Sequence, residues 1–382
     1  MNSIPDALVG RGVDAIDTPA AVIDLDAMER NIARMAAFAQ RHGMRWRPHA
    51  KLHKSAEIAL LLERAGACGH CVQKPSEAEA LAAGGVRDLF ISNQVIAPHK
   101  LLRVARLAAQ LAASGGRLAL AVDSHEGITR LARAMAQAGS DAGMDVLVEI
   151  DVGQGRCGVP PGPEAAALAR SIAAQPRLAF AGLHAYHGRA QHLRGVDERR
   201  AAIAAAAQAA AGTRDLIEAT GLAVPLITGA GTGTLVHEAT SGVYGELQAG
   251  SFLFMDADYA ANEQDGAQPA FEHALFIKTQ VISVRPSHAV CDAGHKSHAI
   301  DSGLPLVQGQ ARRYANGGDE HGILYAEGPA APLPGLGDTL WLIPGHCDPT
   351  VNLHDRLIGV RGGLEHGVVE RVIRVDARGA VT

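Results

Sequence analysis

Residues Ile227–Thr234 read "ITGAGTGT", an apolar run that passes straight into a glycine-rich turn. Two folds use such a turn. In an open doubly wound sheet it holds a dinucleotide, with the spacing G-x-G-x-x-G after the first strand. Here the spacing is G-x-G-x-G, and the turn follows the seventh of eight candidate strands. In a closed barrel, the loops after strands seven and eight bind phosphate through backbone N–H groups and a helix N-terminus. "QAGSF", Gln248–Phe252, adds a second turn of small residues one strand later. The two turns together favour the barrel.

The flanking sequence agrees. Short apolar runs alternate with helical stretches from about Ala20 to Phe254: "MRWRPHA", "CGHCVQ", "DLFIS", "RLALAV", "DVLVEI", "LAFAGLHAYH", "PLITG" and "GSFLFMD". Segments such as "SAEIALLLERAG" between them carry apolar residues at helical spacing and end near glycine. Eight such alternations without a break in composition predict an α/β fold, a (β/α)8 TIM-type barrel. After about Asn262 the pattern changes to strands separated by Gly, Pro and Asp turns, with no convincing helix. The expected organisation is a strand in residues 1–24 that joins a β domain, a barrel over 25–260, and a C-terminal β domain over 261–382.

Composition sets outer limits. The chain has 382 residues, 47% hydrophobic and 20% charged, the balance of an ordinary soluble enzyme. A formal net charge of −5 without a long Lys/Arg run argues against nucleic acid as a partner. The alanine-rich run from Ala201 is too short and too weakly apolar for a membrane span, and reads as a surface helix. The start, "MNSIPDALVG", lacks the pattern of a signal peptide. A cytoplasmic protein with its five cysteines reduced is expected.

Four further motifs carry chemistry. "RPHAKLHKS", Arg47–Ser55, places Lys51 and Lys54 three residues apart, either as a solvated basic patch or around a lysine that forms an imine. "CGHC", Cys68–Cys71, matches a redox dithiol, but the helix that would lower the first thiol's pKa begins only near Pro75. As a zinc half-site it lacks a second close pair, so a structural role is favoured. "DVGQGRCGV", Asp151–Val159, carries Arg156 at the mouth of a barrel strand, where an arginine faces a ligand anion or polar ring atom. In "PGHCDPTVNLHD", Pro344–Asp355, His346 and Asp348 alternate, so an extended backbone turns both to one face and Cys347 away. One imidazole and one carboxylate suit a divalent metal with open, water-filled positions, such as manganese.

Taken in order, "RPHAKLHKS", "CVQKPSEAEA", "DVGQGRCGV", "AYHGRAQH", "TGAGTGT", "ELQAGSFLFMDADY" and "GHCDPTVNLHD" resemble the D-threonine aldolase and D-3-hydroxyaspartate aldolase group. These are alanine racemase-like (fold type III) enzymes dependent on pyridoxal 5'-phosphate. The resemblance spans nearly the whole chain. It implies that Lys51 holds the cofactor as an imine and that Lys54 is a helix or rim residue. Cationic neighbours and partial desolvation are expected to help Lys51 lose its proton. The phosphate falls to Gly231, Thr232, Gly250 and Ser251, with Thr228 also among the cofactor-binding residues. Arg156 is implied near the phenolic oxygen or the substrate carboxylate, and Tyr186 at the pyridine nitrogen. His346 and Asp348 hold the metal, manganese first and magnesium, cobalt or zinc as alternatives. His192 is the implied general base, with His187 next.

The implied activity is cleavage of D-3-hydroxy-amino acids to glycine and an aldehyde, by a homodimer. Dehydratases acting on D-serine carry H-x-C at the metal positions, whereas Asp348 stands here at the second one. "GHCDPT" and "DSGLP" also look like the 3-hydroxyaspartate aldolases, which release glyoxylate. A further cation in the pocket would separate D-threonine from 3-hydroxyaspartate, and the sequence does not place one. The competing readings are a dehydratase of D-3-hydroxyaspartate or D-serine on the same scaffold, a carrier of pyridoxal phosphate without catalysis, and a nicotinamide oxidoreductase. The added metal motif and the missing dinucleotide fingerprint speak against the last two.

Overall fold

Alternation along single strands separates two hydrophobic layers. In the strand Met144–Glu149, Met144, Val146 and Val148 join the core shared with the helices. Leu147 points the other way, to a small cluster with Cys71, Phe90 and Ala121 in the barrel interior. That period of two, with both faces apolar, is the pattern of a parallel strand covered on both sides.

The structure, a computed structural model, describes residues 7–309, 311–328 and 332–382. Eight parallel strands lie in the order Arg45–Trp46, Glu246–Leu247, Ile227–Gly229, Leu178–His184, Met144–Glu149, Arg117–Val122, Asp88–Ile91 and His70–Val72. A parallel bridge between His49 and Cys71 joins the two ends of this sheet. Ala50 N–H donates to Cys71 O at 2.8 Å, and Cys71 N–H to Pro48 O at 3.0 Å. The barrel is closed by that contact.

Helices fill the outside. Asp24 caps Leu25–Arg41 by accepting from Ala27 N–H at 3.0 Å. Proline opens Pro75–Ala83, Pro98–Ala113 and Pro163–Ala173, where its missing N–H costs nothing. The alanine-rich helix Val196–Glu218 buries Ile203, Ala206, Ala207, Ala210 and Ile217 on one face. Among the described residues no helix is long and apolar enough to cross a membrane.

One barrel strand differs from expectation. "GSFLFMD" is not the eighth strand, which is Glu246–Leu247. Ser251–Leu253 instead forms a 3-10 turn. Its apolar side chains are buried for another reason: Phe252, Leu253 and Phe254 pack with Met28, Met35 and Phe38 of the first helix. A run of apolar residues without a period does not distinguish the two.

The second sheet runs Arg312–Asn316, Gly322–Ala326, His288–Cys291, Leu275–Arg285, Ala20–Asp24, Arg356–Arg361, Val368–Arg374. Thr339–Ile343 pairs with both Leu275–Arg285 and Leu306–Val307. The early strand Ala20–Asp24 lies inside this sheet, antiparallel to Leu275–Arg285 and parallel to Arg356–Arg361. Residues 1–6 of the N-terminal segment lie outside the described residues. The region read as free of helix contains one short helix, Cys347–Val351.

Candidate active site

A cavity of about 450 Å³ opens at the C-terminal ends of the barrel strands, where the second sheet meets the barrel. Lys51, in the turn after Arg45–Trp46, reaches into it, and its Nζ lies 3.3 Å from Asp348 Oδ2. Asp348 holds the Lys51 ammonium above its ordinary range, against burial and the opposing charge of Arg156. The expectation that cationic neighbours would deprotonate Lys51 is thus corrected: the nearest charge is a carboxylate. Beside it, burial and the Lys51 charge push His49 well below the usual imidazole range. Burial raises the Tyr186 phenol, so it stays neutral at the cavity wall.

His346 and Asp348 do not lie on extended backbone. His346 is the residue before the helix Cys347–Val351 and Asp348 is in its first turn. Both still line the cavity, while Cys347 is buried away with its thiol on Met255 O. The turn is clamped: Cys347 N–H donates to Asp256 Oδ2 at 3.0 Å, and Thr350 Oγ1 to His346 O at 2.6 Å. His346 Nε2 and Asp348 Oδ1 face each other at 4.0 Å. Asp348 Oδ1 is buried without a hydrogen-bond partner. On its other side, the His346 ring bonds through Nδ1 to Asp301 Oδ2 at 2.7 Å, the orienting contact that metal-binding imidazoles use. Burial depresses the His346 imidazolium, but Asp348 and Asp301 outweigh it and raise its pKa.

No group of three or more metal-ligating side chains occurs among the described residues. The orphaned carboxylate oxygen, the facing Nε2 and the carboxylate behind it fit a divalent ion whose other positions go to water and substrate.

His192 ends the 3-10 turn Arg189–His192 and lines the cavity half exposed. Its Nδ1 lies 2.6 Å from Asp258 Oδ2, and Arg194 pairs with the other oxygen of that carboxylate. An imidazole oriented by a carboxylate, with Nε2 left free, is the arrangement of a general base. Asp258 is held in turn by its own N–H on Gly345 O at 3.3 Å. His187 does not line the cavity, and its ring packs over Gly153.

Gly231, Thr232, Gly250 and Ser251 meet at one end of the cavity. Their N–H groups take no partner among the described residues, whereas the adjoining Gly233 and Phe252 N–H groups donate to Gln191 and Thr232. A Cβ on Gly231 would collide with Gln191 Oε1, and one on Gly250 would stand 2.9 Å from His49 O. Four free N–H groups in a cradle too tight for side chains fit a phosphate. Thr228 is not part of it. Its hydroxyl donates to Glu246 Oε1 and accepts from Gln248 Nε2 below the cavity.

Lys54 is neither helix nor rim. It is buried at φ +50°, with Nζ 3.2 Å from Glu77 Oε1 and 2.9 Å from Asn352 Oδ1. Cys68 donates to Glu246 Oε2 at 3.3 Å, and burial raises both its thiol and that of Cys71, the opposite of a redox thiolate. Sequence reasoning missed Asp258, Asp301 and Arg189. Each lies within a stretch quoted above, "ELQAGSFLFMDADY", "DSGLP" and "AYHGRAQH", but only the fold sets Asp258 behind His192, Asp301 behind His346 and Arg189 on the cavity wall. Arg156 and Arg189 line the cavity with no acidic partner among the described residues.

Residues 23–258 match the family model described as alanine racemase, N-terminal domain, and residues 274–360 match a putative serine dehydratase domain. A D-threonine aldolase from Arthrobacter sp. is 45% identical over 98% of this chain and 96% of its own length. A 3-hydroxy-D-aspartate aldolase from Paracoccus denitrificans is 43% identical over 98% and 95%. The crystal structure of D-threonine aldolase from Filomicrobium marinum superposes with a TM-score of 0.93, at 44% identity, over 98% of this chain and 99% of that one. D-threo-3-hydroxyaspartate dehydratase from Delftia sp. HT23 gives 0.77 at 28% identity, over 94% and 98%.

Proposed function

Because this chain belongs to the alanine racemase-type barrel family that includes D-threonine aldolase and 3-hydroxy-D-aspartate aldolase, we propose that it is a lyase that cleaves D-3-hydroxy-amino acids between Cα and Cβ. One observation carries this. A single cavity joins Lys51, the His192–Asp258 pair and the His346–Asp348 pair.

Lys51 would hold pyridoxal phosphate covalently, with its phosphate on the free N–H groups of Gly231, Thr232, Gly250 and Ser251. Tyr186 would face the ring nitrogen, and Arg156 the phenolic oxygen or the substrate carboxylate. Bound there, the cofactor would supply the electron sink for the pair left on Cα. A divalent ion on His346 and Asp348, manganese as first choice, would supply Lewis-acid activation of the β-hydroxyl. His192 Nε2 takes the hydroxyl proton, and Asp258 holds the ring and stabilises the imidazolium that forms. The oxygen's freed pair becomes the carbonyl bond as Cα–Cβ breaks, which releases an aldehyde, and a proton taken up at Cα completes glycine. With a carboxylate anchor and a base both fixed, only the D configuration presents Cα–Cβ correctly.

A homodimer is the assembly that the family resemblance supports, and a cytoplasmic location follows from the sequence reading; the lysine and the metal pair come from one chain. The test is a product assay with the cofactor and Mn²⁺, on D- and L-threonine, D-3-hydroxyaspartate and D-serine. Glycine plus aldehyde from the D-3-hydroxy-amino acids is expected. Keto acid plus ammonia would move the chain to the dehydratases, and efficient cleavage of L-threonine would overturn the assignment.

A further inference from the structure

The cation that the sequence did not place is Arg189. It opens the 3-10 turn that ends in His192, and both residues line the cavity. Side chains three apart eclipse in such a turn, so the two leave it on one face. The Arg189 backbone is fixed, its N–H donating to Gln154 Oε1 at 2.7 Å. Its guanidinium lies beside Gly155, where an added Cβ would stand 3.7 Å from Nη2. Among the described residues that guanidinium has no ion-pair partner.

The cavity lining carries three permanent cations, Lys51, Arg156 and Arg189, against one carboxylate, Asp348. Lys51 is paired with Asp348. Arg156 is already assigned to the phenolic oxygen or the α-carboxylate. Arg189 is left facing the cavity without an anion. His192 acts on the hydroxyl of Cβ, so its neighbour on the same face is set to read the other substituent of that carbon. D-Threonine offers a methyl group there, and D-3-hydroxyaspartate a carboxylate.

We propose that Arg189 is a specificity-determining residue that binds a carboxylate on substrate Cβ, so the preferred substrates are D-3-hydroxy-dicarboxylic amino acids. This rests on the aldolase reading. Cleavage of such a substrate gives glycine and the aldehyde acid glyoxylate, with the hydroxyl proton passed to His192 and one proton returned to Cα. A guanidinium can hold the carboxylate through two parallel hydrogen bonds.

The test compares wild type, Arg189→Met and Arg189→Lys as holoenzymes with pyridoxal phosphate and Mn²⁺. Steady-state rates are taken on D-3-hydroxyaspartate and D-threonine. Binding of D-aspartate and D-alanine, which lack the hydroxyl, is followed by the cofactor's absorbance. Wild type is expected to prefer D-3-hydroxyaspartate. In Arg189→Met the ratio of kcat/KM for the two substrates should fall by about 10- to 100-fold, mostly through KM, the usual effect of losing a charged hydrogen bond. The advantage of D-aspartate over D-alanine should shrink by the same factor, and Arg189→Lys should restore part of both.

An unchanged ratio, or equal losses on both substrates, would overturn the proposal and put Arg189 on the α-carboxylate or off the substrate. A wild type that cleaves D-threonine but not D-3-hydroxyaspartate overturns it while the aldolase reading stands. If wild type cleaves neither, the aldolase reading fails. D-aspartate and D-alanine binding then decides Arg189 alone, with equal affinities overturning it.

Discussion

Asp348 Oδ2 lies 3.3 Å from the Lys51 ammonium, which couples the residue proposed to hold the cofactor to one proposed to hold the metal. The same carboxylate turns its unpartnered Oδ1 toward His346. Two functions assigned to distant stretches of sequence therefore share one side chain.

The two lysines of the opening basic segment should separate cleanly. Lys51→Ala is expected to lose the visible absorbance of bound cofactor and all turnover. Lys54→Ala should keep the absorbance but lose stability on the order of 3 kcal/mol, because Glu77 is left as an unpaired buried charge. Spectra and denaturant midpoints check both. A borohydride-trapped adduct mapped to Lys54 would sink the assignment.

For the base, His192→Ala should lower aldehyde release by about 10²–10⁴. Asp258→Asn should cost roughly 10-fold or more by releasing the ring. Cofactor and metal content should not change in either variant, as absorbance and atomic emission would show. Near-normal turnover in His192→Ala would place the base elsewhere.

Chelation should abolish turnover and leave the cofactor spectrum intact, and Mn²⁺ should restore activity. Asp301→Asn should weaken metal binding by about 10- to 100-fold through the His346 ring it orients. Calorimetric titration with Mn²⁺ reads this directly. Full activity of metal-stripped enzyme would remove His346 and Asp348 from the proposed role.

Glu238 predicts a pH dependence of stability. Burial raises its pKa from 4.5 to about 7, only partly offset by the hydroxyl that Thr234 donates to it. Between those values the folded chain holds a proton that the unfolded chain has released. This contribution therefore falls as pH rises through the window and is flat above it. At about 1.4 kcal/mol per pKa unit, the full loss is roughly 3 kcal/mol. Glu238→Gln should be more stable than wild type at pH 8 and close to it at pH 4.5. Parallel urea profiles across that range would refute the effect.

How much of this was legible depended on the kind of signal. Short apolar strands bounded by turns and helices, such as Met144–Glu149, and helices opened by proline or a capping aspartate were readable because local physics decides them. "GSFLFMD" was not, because burial between the barrel and the first helix gives the same apolar run as a strand. At the site, Lys51, His346 and Asp348, named from motifs, all line one cavity. Their partners were not named. Asp258 and Asp301 stand inside quoted stretches, but nothing local marks which histidine each meets, and the chain folds them against His192 and His346 across large sequence separations. Thr228 sat in the right motif but below the cavity, bonded to Glu246 and Gln248, a depth that the sequence pattern does not give.

The clamped turn that carries His346 and Asp348 belongs to the sheet lobe, while Lys51 and the phosphate cradle belong to the barrel. On the proposed roles, the barrel would hold the electron acceptor and the base, and the sheet lobe would add the metal that acts on the β-hydroxyl. Reaction type would then follow a short segment of that lobe. Transplanting residues 344–350 between relatives with different outcomes should carry the choice between carbon–carbon cleavage and elimination with it, leaving the barrel's grip on its cofactor untouched.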